Sequence, residues 1–194
     1  MYCNVMRGKI IILSAPSGAG KSSLIKYLMA NRPDLGLKFS ISATSRCPRV
    51  GEENGREYYF LTTEEFKSKV DKGEFVEWEE VYEGTYYGTL FSEVEKKVEE
   101  GHTVIMDIDV KGSLSVKRIF GDKALAIFIM PPSIQELEKR LQNRGTDKQE
   151  DVARRLAKAG YELTFAPQFD CVVINDDFYK AAEEVASKIE EFNP

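Results

Sequence analysis

In Lys9-Ile10-Ile11-Ile12-Leu13-Ser14-Ala15-Pro16-Ser17-Gly18-Ala19-Gly20-Lys21-Ser22-Ser23, an apolar run leads into a loop with two glycines, and Lys21-Ser22 then opens a helix-compatible segment that continues to Ala30. The order is strand, glycine pair, Lys-Ser, helix. Glycines at 18 and 20 let successive backbone N–H groups converge on one anion, and the helix that follows adds the positive end of its dipole. Ala15, Pro16, Ser17, Gly18, Ala19, Gly20, Lys21, Ser22 and Ser23 therefore form a candidate phosphate cradle. Lys21 would reach the β- and γ-phosphates of a nucleoside triphosphate, and the Ser22 hydroxyl would ligate Mg²⁺. Ala15 stands where the usual pattern has Gly.

At 194 residues the chain is long enough for one sizeable core and reads as a single folding unit with inserted lobes. Hydrophobic residues at 42% and charged residues at 30% describe an ordinary water-soluble protein, with no apolar run near the roughly 20 residues a membrane span needs. The first seven residues lack the apolar centre of a secretory signal, so a cytoplasmic protein is expected. A net charge of −5 argues against wholesale binding to a nucleic-acid backbone. Cys3, Cys47 and Cys171 are far apart and odd in number, which leaves neither a disulfide framework nor a zinc site.

Short apolar runs at 10–13, 39–42, 103–106, 125–130 and 171–174 read as buried strands, with helical patterns between most of them. That alternation predicts an α/β fold of three layers, with helices on both faces of a parallel core sheet. Capping boxes are expected where Thr62 faces Glu65, Ser92 faces Glu95, Ser133 faces Glu136 and Asp147 faces Glu150. Gly73, Gly101 and Gly145 are expected to end helices. Residues 43–95, rich in Tyr, Glu and Gly with strand-like segments at 57–61 and 75–82, read as an inserted lobe. Residues 133–165, two helices around Arg144-Gly145-Thr146, read as a movable lid, leaving 8–42, 96–132 and 166–194 as the core.

Arg46 and Arg49 flank Pro48, which forbids a continuous helix, so both guanidiniums can be splayed from a loop toward one anion. Beyond them come Gly51-Glu52-Glu53-Asn54-Gly55-Arg56-Glu57-Tyr58-Tyr59-Phe60, Phe75-Val76-Glu77-Trp78 and Tyr86-Tyr87-Gly88-Thr89. With the phosphate cradle, Asp107-Ile108-Asp109 and Arg144-Gly145-Thr146, these runs closely resemble the guanylate kinases, P-loop enzymes that transfer the γ-phosphoryl of ATP to GMP. The resemblance spans nearly the whole chain. It implies that Arg46, Arg49, Tyr58 and Tyr87 bind the GMP phosphate, while Ser42, Glu77 and Thr89 read the guanine. The chemistry agrees, because an ionised carboxylate accepts both N1–H and the 2-amino group of guanine.

Asp107 ends its strand where a P-loop enzyme places a carboxylate to organise Mg²⁺ and its waters. Asp109 follows two residues on, expected on the same strand face, and the resemblance implies that both acids sit between donor and acceptor with Asp109 nearer GMP. Lys111 stands where the family commonly has Gln. Arg140 and Arg144, four apart on one helix face, and Arg155 on the next helix match lid arginines, and Arg154 matches none. Asn175-Asp176 resembles the adenine-side loop, although an Asn-Asp turn accounts for the pair equally well. The lone His102 is assigned no chemistry. Lys21, Arg46, Asp107, Asp109, Arg140, Arg144 and Arg155 are thus the candidate catalytic groups, with Ser22 and Asp107 at the Mg²⁺. The implied activity is direct in-line transfer from ATP to GMP in purine nucleotide metabolism, with no membrane or nucleic-acid partner. Both a monomer and a homo-oligomer fit the sequence, and use of dGMP stays open.

Overall fold

The computed structural model describes residues 8–142 and 149–193. Arg144, the break at Arg144-Gly145-Thr146, the pairing of Asp147 with Glu150, and Cys3 lie outside the described residues.

The apolar run forms β1 (Ile10–Ser14), the middle strand of a five-stranded parallel sheet. Its neighbours are β7 (Thr103–Asp107) and β8 (Ala124–Met130), with β2 (Leu37–Phe39) and β9 (Cys171–Ile174) at the edges, in the order β2-β7-β1-β8-β9. Alternate residues of β1 serve opposite cores, as a period of two requires. Ile11 and Leu13 pack under α1 (Lys21–Asn31) and α7 (Phe178–Phe192), while Ile10 and Ile12 pack under α3 (Phe91–Glu99) and α4 (Val110–Phe120). Both faces of the sheet are covered, which is why the strand reads as an unbroken apolar run. The fold is the expected three-layer α/β/α architecture. Register sets Leu13 beside Asp107 and Ser14 beside Phe128, so the loop after β1 emerges at the carboxyl ends of three adjacent strands, where α/β sheets bind ligands.

A second, four-stranded sheet has the order β4-β3-β6-β5, built from β3 (Ala43–Thr44), β4 (Tyr59–Phe60), β5 (Phe75–Tyr82) and β6 (Thr85–Leu90). With α2 (Thr63–Asp71) it encloses its own core, in which Phe66 stacks on Phe75 with ring centroids 4.3 Å apart. The strand expected at 39–42 divides here. After Ser40, whose N–H still donates to Ile105 O at 2.9 Å, the chain leaves the core sheet and enters the second one at Ala43. The β5–β6 hairpin turns through Gly84 at φ 74°, and the sequence reading had its first strand but not its partner.

The Thr62–Glu65 capping box forms in both directions. Ser133 Oγ accepts from Glu136 N–H at 3.1 Å, whereas the Glu136 carboxylate turns to Arg140. The expected cap at Ser92 is absent, because β6 runs directly into α3 and the helix already begins at Phe91. Gly73 and Gly101, at φ 67° and 87°, do end α2 and α3, each with the paired backbone bonds of a Schellman turn. Helices α5 (Ile134–Gln142) and α6 (Gln149–Leu163) pack through Leu137, Leu141, Leu156 and Ala159 into a separate small cluster.

Candidate active site

The loop between β1 and α1 takes its shape from two glycines. Gly18 and Gly20 have φ 94° and 96°, the left-handed region that a side chain disfavours. At Gly20 space also excludes one, since a Cβ would lie 2.4 Å from Asn175 Nδ2. That amide is buried and donates to Ala19 O at 2.7 Å, so Asn175 braces the cradle from β9's end. The Asn175 carbonyl in turn accepts from Arg140 Nη1 at 3.0 Å.

Lys21 Nζ contacts Asp107 Oδ1 at 2.6 Å and donates to Ile108 O at 2.8 Å, while Ser22 Oγ donates to Asp107 Oδ2 at 2.8 Å. These groups line a cavity of about 300 Å³ that also includes Ala15, Pro16, Ser17, Gly18, Gly20, Ser23 and Asp109. A hydroxyl and a carboxylate so close together are oxygen ligands of the kind hard cations take, and they fit Mg²⁺ completed by phosphate and water. Among the described residues no group of three or more His, Cys, Asp or Glu is placed to hold a metal ion.

Asp109 departs from its expected place. The strand ends at Asp107, and Asp109 is the N-cap of α4, its Oδ1 accepting from the N–H groups of Lys111 at 2.7 Å and Gly112 at 2.9 Å. It faces the cavities as a helix cap rather than as a strand residue. Lys111 itself points across to α6, its ammonium 5.7 Å from the Tyr161 ring centroid.

A second cavity, of about 190 Å³, shares the wall Asp107, Ile108 and Asp109 with the first and is closed on its other side by Ser42, Tyr58, Glu77, Glu79 and Tyr87. Glu77 and Thr89 face each other across the β5–β6 ladder, and Thr89 Oγ1 donates to Glu77 Oε1 at 2.7 Å. Gly112 backs the same carboxylate, where a Cβ would come within 3.0 Å of Oε2. Burial pushes Glu77 up to about 7, with the Asp109 charge adding and the Thr89 hydroxyl opposing. The carboxylate expected to be ionised is therefore balanced between its two forms near neutrality. Glu79, two residues along the same strand face, is also raised, by burial and then by the neighbouring Asp109.

Arg46 is not splayed outward. Its guanidinium is forked on Glu52, Nη1 to Oε2 at 2.7 Å and Nη2 to Oε1 at 2.8 Å, while Nε donates to Tyr87 Oη at 3.1 Å and the Tyr58 ring lies 5.0 Å away. Arg49 is exposed, its N–H donating to Glu52 Oε2 at 2.8 Å. Glu52, held down to about 2 chiefly by the Arg46 fork, is thus the anchor of this cationic wall. Sequence reasoning quoted Glu52 without giving it a role, although its spacing of three from Arg49 was the available signal. It also missed Glu162, which is buried on α6 and lines the first cavity. Glu162 lies seven residues after Arg155, two helical turns along the same face. Arg155 is half-buried on α6 and engaged with neighbouring groups, and Arg140 is tied to Glu136 and Asn175. His102 Nε2 sits 3.6 Å from Glu100, away from both cavities.

Comparison with known proteins gives the family. The guanylate kinase family model matches residues 7–192. A guanylate kinase of Bacteroides thetaiotaomicron is 54% identical over 187 residues, covering 96% of this chain and 91% of that relative. One of Porphyromonas gingivalis is 54% identical over 184 residues, covering 95% of this chain and 97% of its own length. The crystal structure of guanylate kinase from Anaplasma phagocytophilum superposes with a TM-score of 0.71 at 28% identity, over 96% of this chain and 86% of that one.

Proposed function

The chain belongs to the guanylate kinase family and is an ATP:GMP phosphotransferase, and we propose that its two adjoining cavities hold the two substrates. The observation that carries this assignment is the shared wall. Asp107, Ile108 and Asp109 border both cavities, so groups bound on either side lie against the same three residues. The Gly18–Gly20 loop with Lys21 takes the ATP phosphates, and Arg46, Arg49, Tyr58 and Tyr87 take the GMP phosphate. Ser42, Glu77 and Thr89 read the guanine edge. Ser22 and Asp107 would hold Mg²⁺, which when bound neutralises charge on the donor phosphates.

In the free protein Lys21 is held at the cavity by Asp107 and the Ile108 carbonyl. Glu52 and Tyr87 do the same for Arg46 on the acceptor side. Arg140, Arg144 and Arg155 are the proposed cations over the transferring phosphoryl, Arg144 by its sequence match alone. No residue need form a covalent intermediate, because positioning and charge neutralisation suffice for in-line transfer. Closure of the lid helices would exclude water and keep ATP from being hydrolysed. No described helix is long and apolar enough to cross a membrane. ADP release measured with GMP, AMP, CMP and UMP as acceptors tests the assignment. Turnover with GMP at least about 10⁴-fold above AMP is expected, since adenine offers an acceptor, N1, where the ionised Glu77 needs a donor. Equal rates with all four would refute it.

A further inference from the structure

Glu93 lines neither substrate cavity, yet it is one of the few buried carboxylates, at 8% exposure. Its Oε1 accepts from the Ile41 N–H at 3.0 Å and its Oε2 from Tyr59 Oη at 2.9 Å. Lys97, one turn further along α3, pairs with Oε1 and donates to Phe39 O at 2.8 Å. Three separate segments converge on this one side chain: the chain leaving β2, the strand β4, and α3. Two of them, the chain leaving β2 and the strand β4, lie next to residues of the acceptor cavity. Ile41 precedes Ser42, Tyr59 follows Tyr58, and the Tyr59 N–H donates to Ser42 O at 2.9 Å.

Resting on the assignment of that cavity to GMP, we infer that Glu93 is a positioning residue for the acceptor, fixing Ser42 and Tyr58 relative to the core from behind the site. The carboxylate is a single node where the chain crosses from one sheet to the other, and Ser42 and Tyr58 are each one peptide bond from a residue that it holds. A water-accessible cavity of about 530 Å³ bordered by Ile41, Tyr59, Glu93 and Lys97 lies on the outer side. Groups released by a substitution can therefore be solvated, so the fold survives while the restraint on the acceptor site is lost.

The test is calorimetric binding of GMP, and separately of a non-hydrolysable ATP analogue, to the full chain carrying Glu93→Gln or Tyr59→Phe. Glu93→Gln is expected to weaken GMP binding on the order of tenfold and Tyr59→Phe about threefold, with ATP-analogue affinity within about twofold of wild type. In turnover, KM for GMP should rise while kcat at saturating GMP is largely kept. Unchanged GMP affinity in both variants, or an equal loss of ATP-analogue affinity, would overturn the inference, whatever happens to the melting temperature. Should Glu93→Gln not fold, Tyr59→Phe alone decides. Failure of the wild-type chain to bind GMP would instead refute the site assignment.

Discussion

Glu77 makes the binding of GMP depend on pH through one identifiable proton. In the free protein this carboxyl is buried beside Asp109 and pushed up to about 7, and only its ionised form accepts both N1–H and the 2-amino group. GMP affinity should therefore scale with the ionised fraction, weakening by a factor of about 1.1 at pH 8 and about 11 at pH 6, a tenfold change or about 1.4 kcal/mol. The phosphate of GMP has its own ionisation near about pH 6, which also lowers affinity in acid. Glu77→Gln separates the two effects, because glutamine does not titrate and both proteins share the phosphate contribution. Loss of the charge-assisted pair should cost about 2 kcal/mol at pH 8, roughly 30-fold in affinity. The ratio of the two dissociation constants should then narrow from about 30-fold at pH 8 to about threefold at pH 6. Calorimetric titration of GMP at half-unit intervals measures that ratio directly. A ratio constant from pH 6 to pH 8 would show that Glu77 is not the group reading guanine in its ionised form.

The same shift has a consequence for stability. Between its ordinary carboxylate range and about 7 the folded protein holds a proton on Glu77 that the unfolded chain has released, so this group's contribution to stability falls as pH rises through that window, by about 3 kcal/mol in all. Denaturant titrations of the free wild type and Glu77→Gln at pH 5 and pH 8 should show the wild type losing about 2–3 kcal/mol relative to the variant as pH rises, and an unchanged difference would contradict it. Lys21→Ala should reduce kcat by several orders of magnitude while GMP affinity is nearly unchanged, and near-normal turnover would remove the cradle lysine from the chemistry. Asn175→Ala should raise KM for ATP and lower stability by about 1–2 kcal/mol, since it frees the buried Ala19 carbonyl and loosens the cradle. Equal ATP binding in that variant would assign Asn175 to the fold alone. Glu52→Gln should weaken GMP binding through its phosphate end, so that affinity for free guanosine changes far less than affinity for GMP. A matching loss for guanosine would place Glu52 outside phosphate recognition.

The glycine loop, the parallel core and the helices α5 and α6 were legible in the chain because each depends on local order. Apolar runs covered on both faces have no polar alternation, a left-handed loop needs glycine, and Lys21-Ser22 follows at fixed spacing. The resemblance carried Ser42, Glu77, Thr89, Arg46 and Tyr87 to one substrate. What local order could not convey is which of those groups touch one another. The partner strand Thr85–Leu90, the Glu52 fork beneath Arg46, the brace from Asn175 to a loop 156 residues earlier, and the Glu93 node all join segments that are distant or unremarkable in sequence. The state of Glu77 depends on burial, Asp109 and Thr89 together, and those meet only when β5, β6 and the start of α4 are packed. A carboxylate's identity is a property of its codon, but its charge is a property of the dielectric and the neighbours the fold puts around it.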